Sequence, residues 1–80
     1  MTSRPNPAEA EEAIAREIRR YLDAHPDAAD TSDGVRQWWL PPEAAAAGAE
    51  AVRRALDRLV ADSEMVSRVL VDGAIVYGRR

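Results

Sequence analysis

Asp23, Asp27, Asp30 and Asp33 crowd one short stretch, and carboxylates are oxygen donors from which a metal site can be built. A calcium loop of the EF-hand kind needs oxygen ligands at alternate positions before its glycine and a glutamate six residues after it. Counting back from Gly34 gives Asp33, Thr31 and Ala29, and six residues onward stands Leu40, so the pattern fails. The aspartates are expected to cap helix ends and face water. With no cysteine and no second histidine, thiolate sites and paired-histidine sites are excluded. His25 precedes Pro26 at an expected helix end, where its cation would suit the helix dipole, and a surface role is the expectation. No serine lies in a nucleophile motif, and the glycines are too scattered to cradle a phosphate. Paired carboxylates would need a deep pocket, which a chain of 80 residues rarely offers. The chain is therefore expected to be no enzyme and to use no metal, no cofactor and no small-molecule substrate.

Two groups of side chains suit binding better. Trp38 and Trp39 are adjacent, and successive helical positions point about 100° apart, so both rarely enter one core seam. One is expected to be buried and the other to cover the gap below a hairpin. An exposed tryptophan would instead anchor a partner, because Trp is enriched at interface hot spots. The other group is the outward face of a helix over residues 49–62, namely Glu50, Arg53, Arg54, Asp57, Arg58 and Ala61, which Arg68 can join from farther along. The four arginines could meet phosphates, but Glu50 and Asp57 repel them, and the face offers no Lys, Asn, Gln, Ser or Thr to read bases.

Charge points the same way. All basic residues are Arg, there is no Lys, and the net charge is −3. Residues 1–33 hold four Arg against eight acids, a net −4, and residues 34–80 hold seven Arg against six acids, a net +1. Nucleic-acid binders usually carry a clear positive excess. Arg in place of Lys, with abundant Ala, also fits a GC-rich genome. No apolar run reaches the roughly 20 residues of a membrane span, and the first residues lack a basic region followed by an apolar stretch. A cytoplasmic location without membrane contact is expected.

These side chains need elements to hold them. Asn6 and Pro7 with Glu9 open a first helix, whose apolar stripe is Ile14, Ile18, Tyr21 and Leu22. Glu12 and Arg16 stand at i,i+4 on its surface, and Asp23-Ala24-His25-Pro26 ends it. Thr31 is the expected cap of a second, short helix bearing Val35, Trp38 and Trp39, closed by Leu40-Pro41-Pro42. Residues 43–62 are helical by propensity. Either one helix runs from Pro42, or a loose turn around Gly48 precedes a helix from Ala49, and the core stripe is Val52, Ala55, Leu56, Leu59 and Val60 in both cases. Met65 to Val71 and Ala74 to Tyr77 flank Asp72-Gly73, a strong hairpin signal. A two-residue turn would set Leu70 opposite Ile75, Val69 opposite Val76 and Arg68 opposite Tyr77, with apolar side chains on both faces.

The order "DTSDGVRQWWL", then "AVRRALDRLV", then a hairpin at "VDGAIVY" resembles the winged helix-turn-helix of small stand-alone bacterial proteins, over nearly the whole chain. The resemblance implies an α+β fold, a three-helix bundle with a C-terminal β-hairpin wing, in which residues 1–6 are a disordered tail and 7–80 one domain. It places residues 49–62 in the recognition-helix position and 65–78 in the wing. Winged helices bind DNA or serve as protein-interaction modules, so the fold does not name its ligand. On charge grounds a protein–protein adaptor, or self-association, is the expected function. A small DNA-binding regulator that gains positive surface by dimerising is the alternative, and a structural subunit of a larger assembly a third. The candidate face comprises Arg53, Arg54, Asp57, Arg58, Arg68, Trp38 and Trp39.

Overall fold

A computed structural model describes residues 6–80, so residues 1–5 of the expected tail lie outside the described residues. Helix α1 (Pro7–Ala24) begins where the sequence places it. The Asn6 side-chain oxygen accepts from the Glu9 backbone N–H at 2.8 Å, Pro7 occupies the first turn, and the His25 N–H closes the other end on Tyr21 O at 2.8 Å. A two-residue strand β1 (Ala29–Asp30) follows, with no counterpart in the sequence reading. Thr31 then caps the next helix, its hydroxyl accepting from the Gly34 N–H at 3.1 Å. That helix, α2 (Ser32–Gly34), widens into a π-helical segment over Val35–Trp39. Leu40 is extended and Pro41 starts a separate turn, α3 (Pro42–Ala45). Gly48 breaks the chain again before α4 (Ala49–Ala61). Among the described residues four α-helices thus stand where three are expected, because Pro41 and Gly48 both interrupt the middle of the chain.

Strands β2 (Met65–Val69) and β3 (Ile75–Arg79) form the C-terminal hairpin, and β1 pairs with the other side of β3, giving a three-stranded antiparallel sheet in the order β1-β3-β2. Gly78 permits the β1 pairing. A Cβ there would lie 3.3 Å from Ala28 O and 3.4 Å from Ala29 Cβ, so a side chain would push the two strands apart.

The hairpin register differs from the expected one by a single residue. Val69 faces Ile75, Arg68 faces Val76 and Ser67 faces Tyr77. The loop uses three residues, not two: Gly73 N donates to Leu70 O at 2.9 Å, Leu70 N donates to Ala74 O at 2.8 Å, and Gly73 supplies φ +89°. Asp72 Oδ1 braces the turn by accepting from Ala74 N at 3.0 Å. One residue of slip changes which cross-strand side chains share a face. Met65, Ser67 and Val69 now stand beside Ile75 and Tyr77, and Met65 and Tyr77 are the two that reach the helices and become buried.

The core is one cluster. Ile14, Ala15, Ile18 and Leu22 of α1 meet Ala51, Val52, Ala55, Leu56 and Leu59 of α4, with Val35, Trp39, Leu40, Met65 and Tyr77 closing the ends. Each large member contributes about 1.5–3 kcal/mol by leaving water, before ordering entropy is subtracted. Val60 and Tyr21, assigned to the apolar stripes, are half-buried at its margin. Among the described residues no helix is long and apolar enough to cross a membrane.

Candidate binding surfaces

Two of the four aspartates that suggested a metal have other partners. Asp30 Oδ1 accepts from the Thr31 N–H at 2.8 Å and Asp23 Oδ1 meets the Arg79 guanidinium at 3.4 Å. Among the described residues no three His, Asp or Glu side chains converge as a metal site would require. His25 lies at the end of α1 with its ring 4.5 Å from that of Tyr21.

The adjacent tryptophans separate. Trp39 is 7% exposed and stacks on Tyr21, ring centres 4.7 Å apart and planes 11° from parallel. Trp38 is 73% exposed. It borders an open, shallow depression with Arg36, Gln37, Leu40, Pro42 and Ala45. The floor is fixed: Arg36 Nε donates to Ala45 O at 3.1 Å, tying the π-helical segment to α3. Nothing in the sequence marks Arg36 for this, since the contact depends on α3 being a separate turn.

The arginines of the expected face also separate. Arg58 meets Glu12 at 2.6 Å, Glu11 at 3.6 Å and Asp62 at 3.9 Å, and Arg54 lies 4.0 Å from Glu11 and 3.9 Å from Glu50. Both therefore turn toward the acidic side of α1. Glu12, expected to pair with Arg16, reaches Arg58 and Arg19 instead. Arg53 points the other way, toward a shallow depression between Thr31, Ser32 and Asp33 and the hairpin residues Gly73 to Ile75. Asp57 is exposed on α4, and Arg68 is exposed on the outer side of the hairpin beside Val66 and Val76. The seven candidate residues do not form one surface. Trp38, Arg53 and Arg68 are available to a ligand, whereas Trp39 is core and Arg54 and Arg58 are paired.

The hairpin is fastened to α1 by Arg19, whose Nε and Nη2 each donate to Glu64 at 2.9 Å. The bidentate bond lowers the Glu64 carboxyl below the usual glutamate range and raises Arg19. Both side chains are more than one-third exposed, so solvent limits the pair to less than about 1 kcal/mol. A carboxyl with a depressed folded-state pKa stabilises above its unfolded value and stops doing so as pH falls through the depressed one. Glu64→Gln should therefore cost a few tenths of a kcal/mol at pH 7, and urea titrations should show the difference from wild type shrinking as pH falls below the ordinary glutamate range and vanishing once it passes the depressed value of Glu64. A difference that persists in acid would mean that the ion pair is not its source.

Past the sheet, the hairpin tip leaves apolar side chains in water: Val69, Leu70 and Val71 are all exposed, as is Val66 on the outer face. No family model, curated protein or solved structure matches this chain.

Proposed function

We propose that this chain is a non-enzymatic winged-helix module of the cytoplasm that binds another protein, with Trp38 as its anchor. The element order supports the winged-helix reading: helices first, α4 in the recognition position, and a hairpin wing closing the chain. The observation that carries the function is the exposure of Trp38 over a fixed, mostly apolar rim. Tryptophan is among the side chains enriched at interface hot spots, and one left in water has its full apolar area to bury against a partner.

Charge supports a protein over DNA. Phosphate binding gains its affinity from released counterions, one for each basic side chain that meets a phosphate. Arg54 and Arg58 are already neutralised by α1, and Glu50 and Asp57 stand exposed on the same helix. Arg53 and Arg68 keep the DNA regulator as the second reading, because both are exposed and lie toward the hairpin.

Binding assays separate the two. For a protein adaptor, Trp38→Ala should weaken a recovered partner about 30-fold or more, in line with a hot spot of 2 kcal/mol, while Arg53→Ala leaves it unchanged. Mobility shift of random-sequence duplex at low salt should show no complex. A shift that fades steeply with added salt, with its slope reduced by about one in Arg53→Ala or Arg68→Ala, would decide for DNA.

A further inference from the structure

Tyr77 is 3% exposed, yet its hydroxyl has no hydrogen-bond partner among the described residues. No enclosed side-chain polar atom among those residues lacks a partner, so an oxygen without one must reach solvent. Tyr77 lines the depression between Thr31, Ser32 and Asp33, Arg53 of α4 and the hairpin turn, and that is where its buried ring opens to water. Packing alone would be served by Phe, because the hydroxyl of a buried Tyr is ordinarily engaged. Arg53 is unengaged as well. Arg54 and Arg58 pair with the acids of α1, but Arg53 makes no ion pair among the described residues, although Asp57 follows at i+4 and Asp33 lines the same depression. The hydroxyls nearby add donors. Thr31 Oγ1 accepts from the Gly34 N–H, which leaves its own O–H to point elsewhere, and the Ser32 hydroxyl is unpaired among the described residues.

We propose that this depression is a binding site for a carboxylate, with the Arg53 guanidinium taking its charge and the Tyr77 hydroxyl donating to one of its oxygens. The donor set fits that group. A guanidinium matches the two oxygens of a carboxylate with its fork of N–H groups, and a hydroxyl donor supplies a bond to a remaining lone pair. One cation calls for one negative charge. Asp33 in the lining and Asp72 beside the turn repel a polyanion along its length, whereas a single carboxylate meets Arg53 alone. Two sources carry such a group, a free small acid and an acidic side chain of a peptide. The site shares no lining residue with the Trp38 rim, so it stands whatever Trp38 binds.

Titration of the full chain with sodium acetate, followed by amide chemical shifts against sodium chloride at equal ionic strength, tests this. The Ser32, Arg53 and Ala74 amides should shift and saturate, with Kd on the order of 1–10 mM for so small a ligand. Tyr77→Phe should weaken acetate about three- to tenfold while its urea midpoint matches wild type, because the hydroxyl has no protein partner to lose. Arg53→Gln, at an exposed position, should weaken acetate about tenfold or more. N-acetylglutamate N-methylamide tells the two sources apart: binding at least as tight as acetate assigns the site to an acidic side chain, and weaker binding assigns it to a free acid. Acetate shifts no larger than those with chloride overturn the proposal. So does a lower urea midpoint for Tyr77→Phe, which would mean that the fold itself uses the hydroxyl. Inorganic phosphate binding more tightly than acetate would also overturn it, turning the site toward the DNA reading.

Discussion

Trp39→Ala is expected to cost about 3–5 kcal/mol of unfolding free energy, and Trp38→Ala, one position away, less than about 0.5 kcal/mol. Trp39 fills the angle between α1 and the π-helical segment, where its indole stacks on Tyr21 at 4.7 Å. Removing it takes away the burial of a large side chain, leaves a cavity in the core, and uncovers Tyr21, whose stacking adds about 0.5–1.5 kcal/mol beyond area. A domain of 80 residues has a total of about 4–12 kcal/mol, so the loss consumes much of the stability. Trp38, at 73% exposure, has little burial to lose. Urea titrations followed by circular dichroism measure both: the midpoint should fall steeply for one variant and barely move for the other, with m values unchanged. Equal shifts, or a larger one for Trp38→Ala, would contradict the placement of the two rings.

That contrast also marks how far the sequence is legible. Adjacent helical positions cannot both enter one seam, so the split between the tryptophans follows from geometry alone, but which ring sinks does not. The answer depends on the π-helical turn over Val35–Trp39 and on Tyr21 waiting across the gap, neither of which is encoded locally. Where signals are local they hold: Asn6 and Thr31 cap the helices the sequence assigns them, and Ile14, Ile18, Leu56 and Leu59 are core. Where a partner lies far along the chain they fail. β1 is an Ala-Asp dipeptide without strand propensity that forms because Gly78 lets it approach. The hairpin was legible as Asp-Gly between two β-rich runs, yet Asp-Gly fits a two-residue turn and a three-residue loop alike, and the difference slid the register by one. The candidate face is divided for the same reason. On α4 alone Arg53, Arg54 and Arg58 look equivalent, and only the packing of α1 shows that Glu11 and Glu12 take two of them.

Gly48→Ala is expected to destabilise the fold by about 1–3 kcal/mol, opposite in sign to its local propensity. Within a helix running from Pro42 to Asp62, replacing this glycine by alanine would gain about 1 kcal/mol. Gly48 is instead the N-cap of α4, at φ +99° and ψ 164°, a region that is essentially glycine's alone. Its carbonyl accepts from Val52 N at 3.2 Å while its N–H donates to Ala45 O at 3.2 Å, so one residue both ends α3 and starts α4. No atom lies within 4 Å of the position a Cβ would take, so the penalty comes from the backbone and not from a clash. D-alanine, introduced by chemical ligation, populates positive φ without that penalty and should be tolerated, which separates backbone conformation from size. If L-alanine instead raised stability and helical circular dichroism, α3 and α4 would have fused into one helix. Fusion would pull Ala45 from Arg36 and carry away the rim that holds Trp38 exposed, so the same variant tests whether the break at Gly48 is what builds the binding surface.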